Sequence, residues 1–103
     1  MKLERIEEAK SVLRKMVPVA RRVLGESVEI TISIRSLYAQ ALCRDPDATL
    51  DDLREAVTTL EESERTARRV FGGAHPLTKG IERDLRGARE IFAARETPSP
   101  GAA

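Results

Sequence analysis

From Leu3 to Leu24 apolar side chains recur at steps of three and four residues. Leu3, Ile6, Leu13, Val17, Ala20 and Leu24 form one stripe, and Val12, Met16, Val19 and Val23 form another. This is helical periodicity, and two stripes imply two packing neighbours. The design returns with Leu50, Leu53, Val57, Leu60, Ala67 and Phe71, flanked by Ala56 and Val70, with Glu64 interrupting the stripe. A helix from about Pro76 to Ala94 closes the series.

The remaining element reads two ways. Val28, Ile30, Ile32 and Ile34 alternate with Glu29, Thr31 and Ser33, which by local pattern suits a strand. Ile30, Ile34, Leu37, Tyr38, Ala41 and Leu42 also make a helical stripe, and a helix is the expectation because tertiary context overrides β-branched propensity. Pro18 sits inside the first helix, where a missing N–H and a ring clash cost about 3 kcal/mol. Apolar spacing runs unbroken through it, so a single bent helix is expected.

Boundary signals agree with four helices. Asp45-Pro46-Asp47 breaks the chain, Thr49 with Asp52 resembles a capping box, and Gly72-Gly73 ends the third helix. Pro76 stands in a first turn, where its missing N–H is tolerated. Residues 97–103, Thr-Pro-Ser-Pro-Gly-Ala-Ala, have neither periodicity nor bulk and are expected to form a disordered tail.

The chain also repeats itself. An offset of 47 residues superposes Glu8-Ala9 on Glu55-Ala56, Leu13 on Leu60, Ala20-Arg21-Arg22-Val23 on Ala67-Arg68-Arg69-Val70, and Gly25 on Gly72. Thr31, Ile34 and Ala41 then meet Thr78, Ile81 and Ala88, giving 11 identities in the 37 pairs from Ile6/Leu53 to Leu42/Arg89. Chance supplies about two or three. Each copy is a helix, a glycine, a break and a second helix, so the expected fold is all-α, with four antiparallel helices in two tandem helix-turn-helix units. The units span about residues 3–44 and 49–95 of a single domain, 1–96.

The segment Ala67-Arg68-Arg69-Val70-Phe71-Gly72-Gly73-Ala74-His75-Pro76-Leu77-Thr78, with Ile81 and Leu85 after it, resembles tetratricopeptide (TPR) repeats of the kinesin light chain type. Those repeats end helix A on a Leu-Gly element and open helix B with His-Pro. The first copy keeps Val23-Leu24-Gly25 and Thr31 but has Val28-Glu29 in place of His-Pro. The resemblance covers roughly residues 5–95 and implies an α-solenoid fragment. It further implies a groove, lined mainly by A helices, that takes extended peptides of partner proteins, as in scaffolds and cargo adaptors.

Composition narrows the picture. Eighteen basic against seventeen acidic residues leave a formal charge of +1, and aromatics are 3% of the chain. Neither phosphate tracking nor base stacking is favoured, so nucleic acid is not an expected partner. No uncharged apolar run is long enough for membrane insertion, and Met1-Lys2-Leu3-Glu4-Arg5 leads into Glu7 and Glu8, not into an apolar leader core. Cys43 is the lone cysteine. A cytoplasmic protein is expected.

Catalysis is not. His75 is the only histidine and stands at a helix start. Glu7-Glu8, Asp51-Asp52 and Glu61-Glu62 fall on exposed faces, whereas acid–base work needs a buried pair. No spacing suggests a metal site or a cofactor loop, so none is expected. Gly80 and Gly87 share a face of the fourth helix, which suggests close approach of another helix.

The candidate binding residues are basic: Arg14, Arg21 and Arg22 on the first helix, and Arg65, Arg68 and Arg69 on the third. Arginine forks bind carboxylates through paired hydrogen bonds, so the expected ligand is a partner protein or acidic peptide. Glu61 with Arg65, Glu64 with Arg68 and Glu82 with Arg86 are four apart and could instead satisfy one another. The expected function is a non-catalytic interaction or scaffold module. The alternative is a self-associating homo-oligomer subunit, or part of a longer array, because two repeats leave apolar faces at their ends.

Overall fold

A computed structural model describes residues 3–96; Met1, Lys2 and the expected disordered tail 97–103 lie outside the described residues. Four helices account for most of it: α1 (Leu3–Val23), α2 (Glu29–Arg44), α3 (Leu50–Phe71) and α4 (Pro76–Glu96). Among the described residues there is no strand.

The ambiguous segment is helical, and burial gives the reason. As a strand, Ile30 and Ile32 would face the same way; in α2 they differ, Ile30 being 55% exposed and Ile32 fully buried. Ile32, Ala39 and Leu42, at helical steps, all enter the core. Val28 keeps an extended backbone (φ −78°, ψ 139°) and its carbonyl accepts the Ile32 N–H at 3.1 Å, so the helix begins at the next residue. Helix α1 runs continuously through Pro18, whose ring faces solvent. The carbonyl it leaves unbonded can therefore be hydrated.

The ends carry the expected devices. The Thr49 hydroxyl accepts the Asp52 N–H at 3.1 Å while the Asp52 carboxylate accepts the Thr49 N–H at 3.0 Å. Gly72, at φ 89°, occupies a left-handed conformation that other residues rarely adopt, and its N–H reaches the Arg68 carbonyl at 3.0 Å. His75 caps α4: its Nδ1 accepts the Leu77 N–H at 3.1 Å, and its ring stacks on Phe71 with centroids 4.7 Å apart.

The packing is sequential. Helix α2 lies against both α1 and α3, α3 lies against α4, and α2 also touches α4; no α-carbon of α1 comes within 8 Å of one of α3. Several residues related by the 47-residue offset share environments, whereas Ile32, Ala39 and Leu42, buried between α1 and α3, meet the exposed Lys79, Arg86 and Arg89 of α4. Ala20 and Ala67 are both buried, Thr31 and Thr78 are both fully buried, and Gly25 (φ 97°) matches Gly72 in its positive φ. Thr31 donates its hydroxyl to the Ala20 carbonyl at 3.4 Å.

One expectation fails. A Cβ at Gly87 would meet nothing within 4 Å, and one at Gly80 only the Arg83 guanidinium at 3.9 Å. No helix approaches there, because α4 packs on α3 and α2 through Thr78, Ile81, Leu85 and Ala88, leaving the glycines off that face.

Candidate functional site

The structure divides the six candidate arginines among separate surroundings. Arg21, near the end of α1, and Arg65 and Arg69, on the C-terminal half of α3, come together across the first turns of α2. They line an open cleft of about 420 Å³ that also contains Arg35, Glu26 and Glu62. Helices α1 and α3 bring these side chains together without touching, so α2 floors the cleft.

Within the cleft two arginines are neutralised. Arg21 bonds Glu26 through Nε at 2.8 Å and through Nη2. Arg35, buried on α2, donates from Nη2 to Glu62 Oε2 at 2.6 Å. Among the described residues Arg65 and Arg69 have no carboxylate in ion-pair reach. The cleft thus sets four arginines against two glutamates.

Arg65 is left without a partner because Glu61, one turn before it, pairs with Arg89 of α4 at 2.9 Å instead. The Glu64–Arg68 pair does form, at 2.7 Å, and Arg68 also bonds Glu82 of α4. Glu82 is thereby drawn toward Arg68, and no Glu82–Arg86 pair forms. Arg68 therefore faces the α3–α4 side, away from the cleft. Arg14 lies against the Tyr38 hydroxyl, which with Glu55 and Asp52 raises its pKa. Arg22 adjoins Pro18, Arg21 and Glu26 in a shallow neighbouring hollow. Three of the six candidates converge, and three do not.

Arg35 escaped the sequence reading. Its signal was its place at helical steps from Ile32 and Ala39, since a cation on a buried stripe requires a carboxylate opposite it. A second pair of this kind clamps α1 to the α2–α3 connection. Lys10 Nζ meets Asp45 Oδ2 at 2.6 Å, and Asp45 Oδ1 accepts the Asp47 N–H at 2.9 Å. The hydrogen bond to Lys10 holds the Asp45 carboxyl below the usual carboxylate range, and the same bond pushes the Lys10 ammonium up.

The reactive residue types are occupied structurally. The His75 ring is committed to the α4 cap and to Phe71. Burial pushes the Cys43 thiol up, which keeps it protonated and weakly nucleophilic at neutral pH. Among the described residues no group of three His, Cys, Asp or Glu could hold a metal ion, and no helix is long and apolar enough to cross a membrane.

No family model, curated protein or solved structure matches this chain.

Proposed function

We propose that this chain is a non-catalytic protein-interaction module whose α1–α2–α3 cleft takes a carboxylate-rich segment of a partner protein. One observation carries the reading: Arg65 and Arg69 stand in the cleft with no carboxylate of their own, beside Arg21 and a buried Arg35. Two unpaired planar forks along one helix face can each grip a carboxylate through two hydrogen bonds. A lone pair at the helix end would be explained by the helix dipole, but Arg65 lies further back on α3.

The same proposal includes a tetratricopeptide-like arrangement of the two units. The matched glycines and threonines support it, as does the His75-Pro76 start of α4. The cleft differs from a groove shared by adjacent A helices, because α1 and α3 are held apart by α2. Binding would consequently be short-range and local, fitting a few residues of a partner and not a long extended peptide.

The test is fluorescence anisotropy with a short labelled Glu-rich peptide, against a Lys-rich control. The wild-type chain should bind the acidic peptide with salt-sensitive affinity, and R65E/R69E should lose at least about tenfold of it. Equal affinity in the wild type and in R65E/R69E, or no preference over the Lys-rich control, would refute the cleft.

A further inference from the structure

The surface with the most unexplained chemistry lies on the opposite side of α1 from the cleft. Val12, Met16, Val19 and Val23 follow one another at steps of four, three and four, the spacing of a coiled-coil seam. Together with Ile30 and Leu37 of α2 they are 42% to 68% exposed. Among the described residues helix α1 has one neighbour, α2, and this stripe runs along the open side of that contact, Met16, Val19 and Val23 lining an apolar hollow with Ile30 and Ile34 of α2.

The internal repeat shows what such a face does when it is covered. Through the 47-residue offset, Val12, Met16, Val19 and Leu37 correspond to Thr59, Ser63, Thr66 and Asp84. Ser63 is fully buried, the other three are half-buried, and Asp84 accepts a hydrogen bond from Gln40 of α2 at 2.7 Å. The flank agrees: Glu8 and Lys15 correspond to Glu55 and Glu62, which pair with Tyr38 and Arg35 of α2. So the α1 stripe corresponds to the surface by which α3 docks on its preceding helix. At these four positions the covered copy carries hydroxyls and a carboxylate where the uncovered copy carries two valines, a methionine and a leucine, while Val23 and Ile30 meet the apolar Val70 and Leu77. Solvent exposure would favour the reverse distribution.

We infer that this face is the interface of a two-fold homodimer, in which α1 packs antiparallel on α1 of a second copy. Three observations choose this occupant. Charge is the first. On one flank of the stripe Glu8 lies near the start of α1 and Arg22 near its end, two heptads apart, and among the described residues neither has an ion-pair partner. Antiparallel pairing sets this flank of one copy against the same flank of the other run in reverse, so that the Glu8 end lies toward Arg22 of the second copy, whereas parallel pairing sets it against the opposite flank and brings the two charges no nearer. Lys15, midway, falls near the axis, where its long stem carries the ammonium out to water.

Area is the second. The six exposed side chains present on the order of 500 Å² of apolar surface, the upper end of what a single chain leaves uncovered in one patch. Two such faces supply roughly 1,000 Å², the lower bound for a specific interface before the charged flanks are added.

Closure is the third. Head-to-tail stacking would need an apolar face at the α4 end. That end presents Lys79, Arg83, Arg86 and Glu90, with Ile91 its one exposed large apolar residue among those described. An apolar face that finds its match only in another copy of itself produces a closed pair, not a filament.

The experiment is sedimentation equilibrium from low micromolar to several hundred micromolar chain, with helicity recorded on each sample. The wild-type mass should rise to twice the monomer, and M16E/V19E should stay monomeric with unchanged helicity. E8R and R22E should each weaken association by about tenfold, and the double swap E8R/R22E should restore it. Because Glu8 and Arg22 are exposed, that swap carries the test even if M16E/V19E fails to fold. A wild-type chain that stays monomeric throughout would overturn the inference and assign the face to a different protein. So would a dimer that M16E/V19E leaves intact, or a double swap that associates no better than its single variants. R65E/R69E should leave the mass unchanged, so failure of the cleft and failure of the dimer are separately readable.

Discussion

Removing either end of the Lys10–Asp45 clamp should cost more than removing both would suggest. At 2.6 Å and an effective dielectric near 20 the two charges attract by about 6 kcal/mol. Taking both out of water returns several kcal/mol of that. The pair lies under a thin covering: its side chains keep 11% and 3% of their surface, yet few further atoms lie around them. Desolvation is therefore incomplete, and a net coupling of about 2 kcal/mol follows. D45N keeps an acceptor for the Asp47 N–H, and Glu7 at 3.5 Å still faces the stranded ammonium, so its cost should be about 2 kcal/mol. K10M strands the carboxylate with a single backbone N–H and should cost about as much. The double variant should lose roughly 2 kcal/mol, not 4. Urea unfolding at one fixed chain concentration measures all three, since self-association would make stability depend on concentration.

The pH course carries a sign. The Asp45 carboxyl is lowered, so its contribution is complete above the ordinary carboxyl range and is lost as pH falls through its folded value. The Lys10 ammonium is raised, so its contribution is complete below the usual lysine value and is lost as pH rises through its folded value. The gap between wild type and D45N should be flat through neutral pH and close in acid. If the two single costs simply add in the double variant, or the gap persists undiminished in strong acid, the clamp contributes nothing as an ion pair.

The other expectations are local. Thr49→Ala removes the hydroxyl of the α3 capping box and should destabilise the chain by about 1 kcal/mol in the same urea assay, with Thr49→Ser nearly neutral. Cys43, half-buried with its pKa raised, should react with a disulfide reagent at neutral pH several-fold more slowly than a free thiol. Its rate should approach the free-thiol rate once the chain is unfolded.

The helices and their ends were legible because the signals are local. Thr49 and Asp52 form their box within three residues, and Gly72 meets a backbone requirement at its own position. The α2 segment shows where local reading reaches its limit. Its alternation fits a strand until Ile30 and Ile32 are seen to part, one exposed and one in the core. What chose the helix was the apolar surface of α3 on one side and α1 on the other, and neither is a property of residues 28–34.

The candidate site was legible by residue type and illegible by partner. Spacing offers Glu61 to Arg65 and Glu82 to Arg86, each at four residues, where an exposed pair gains only a few tenths of a kcal/mol. A preference that small is overruled by whichever helix packs alongside. Helix α4 lies against α3, and it draws Glu61 to Arg89 and Glu82 to Arg68. Arg65 is left without a carboxylate because Glu61 bonds Arg89, a residue 28 positions beyond that glutamate. The cleft's unmatched charge is thus a consequence of the α3–α4 packing. Substituting Arg89 should therefore weaken acidic-peptide binding from outside the cleft, by releasing Glu61 to neutralise Arg65.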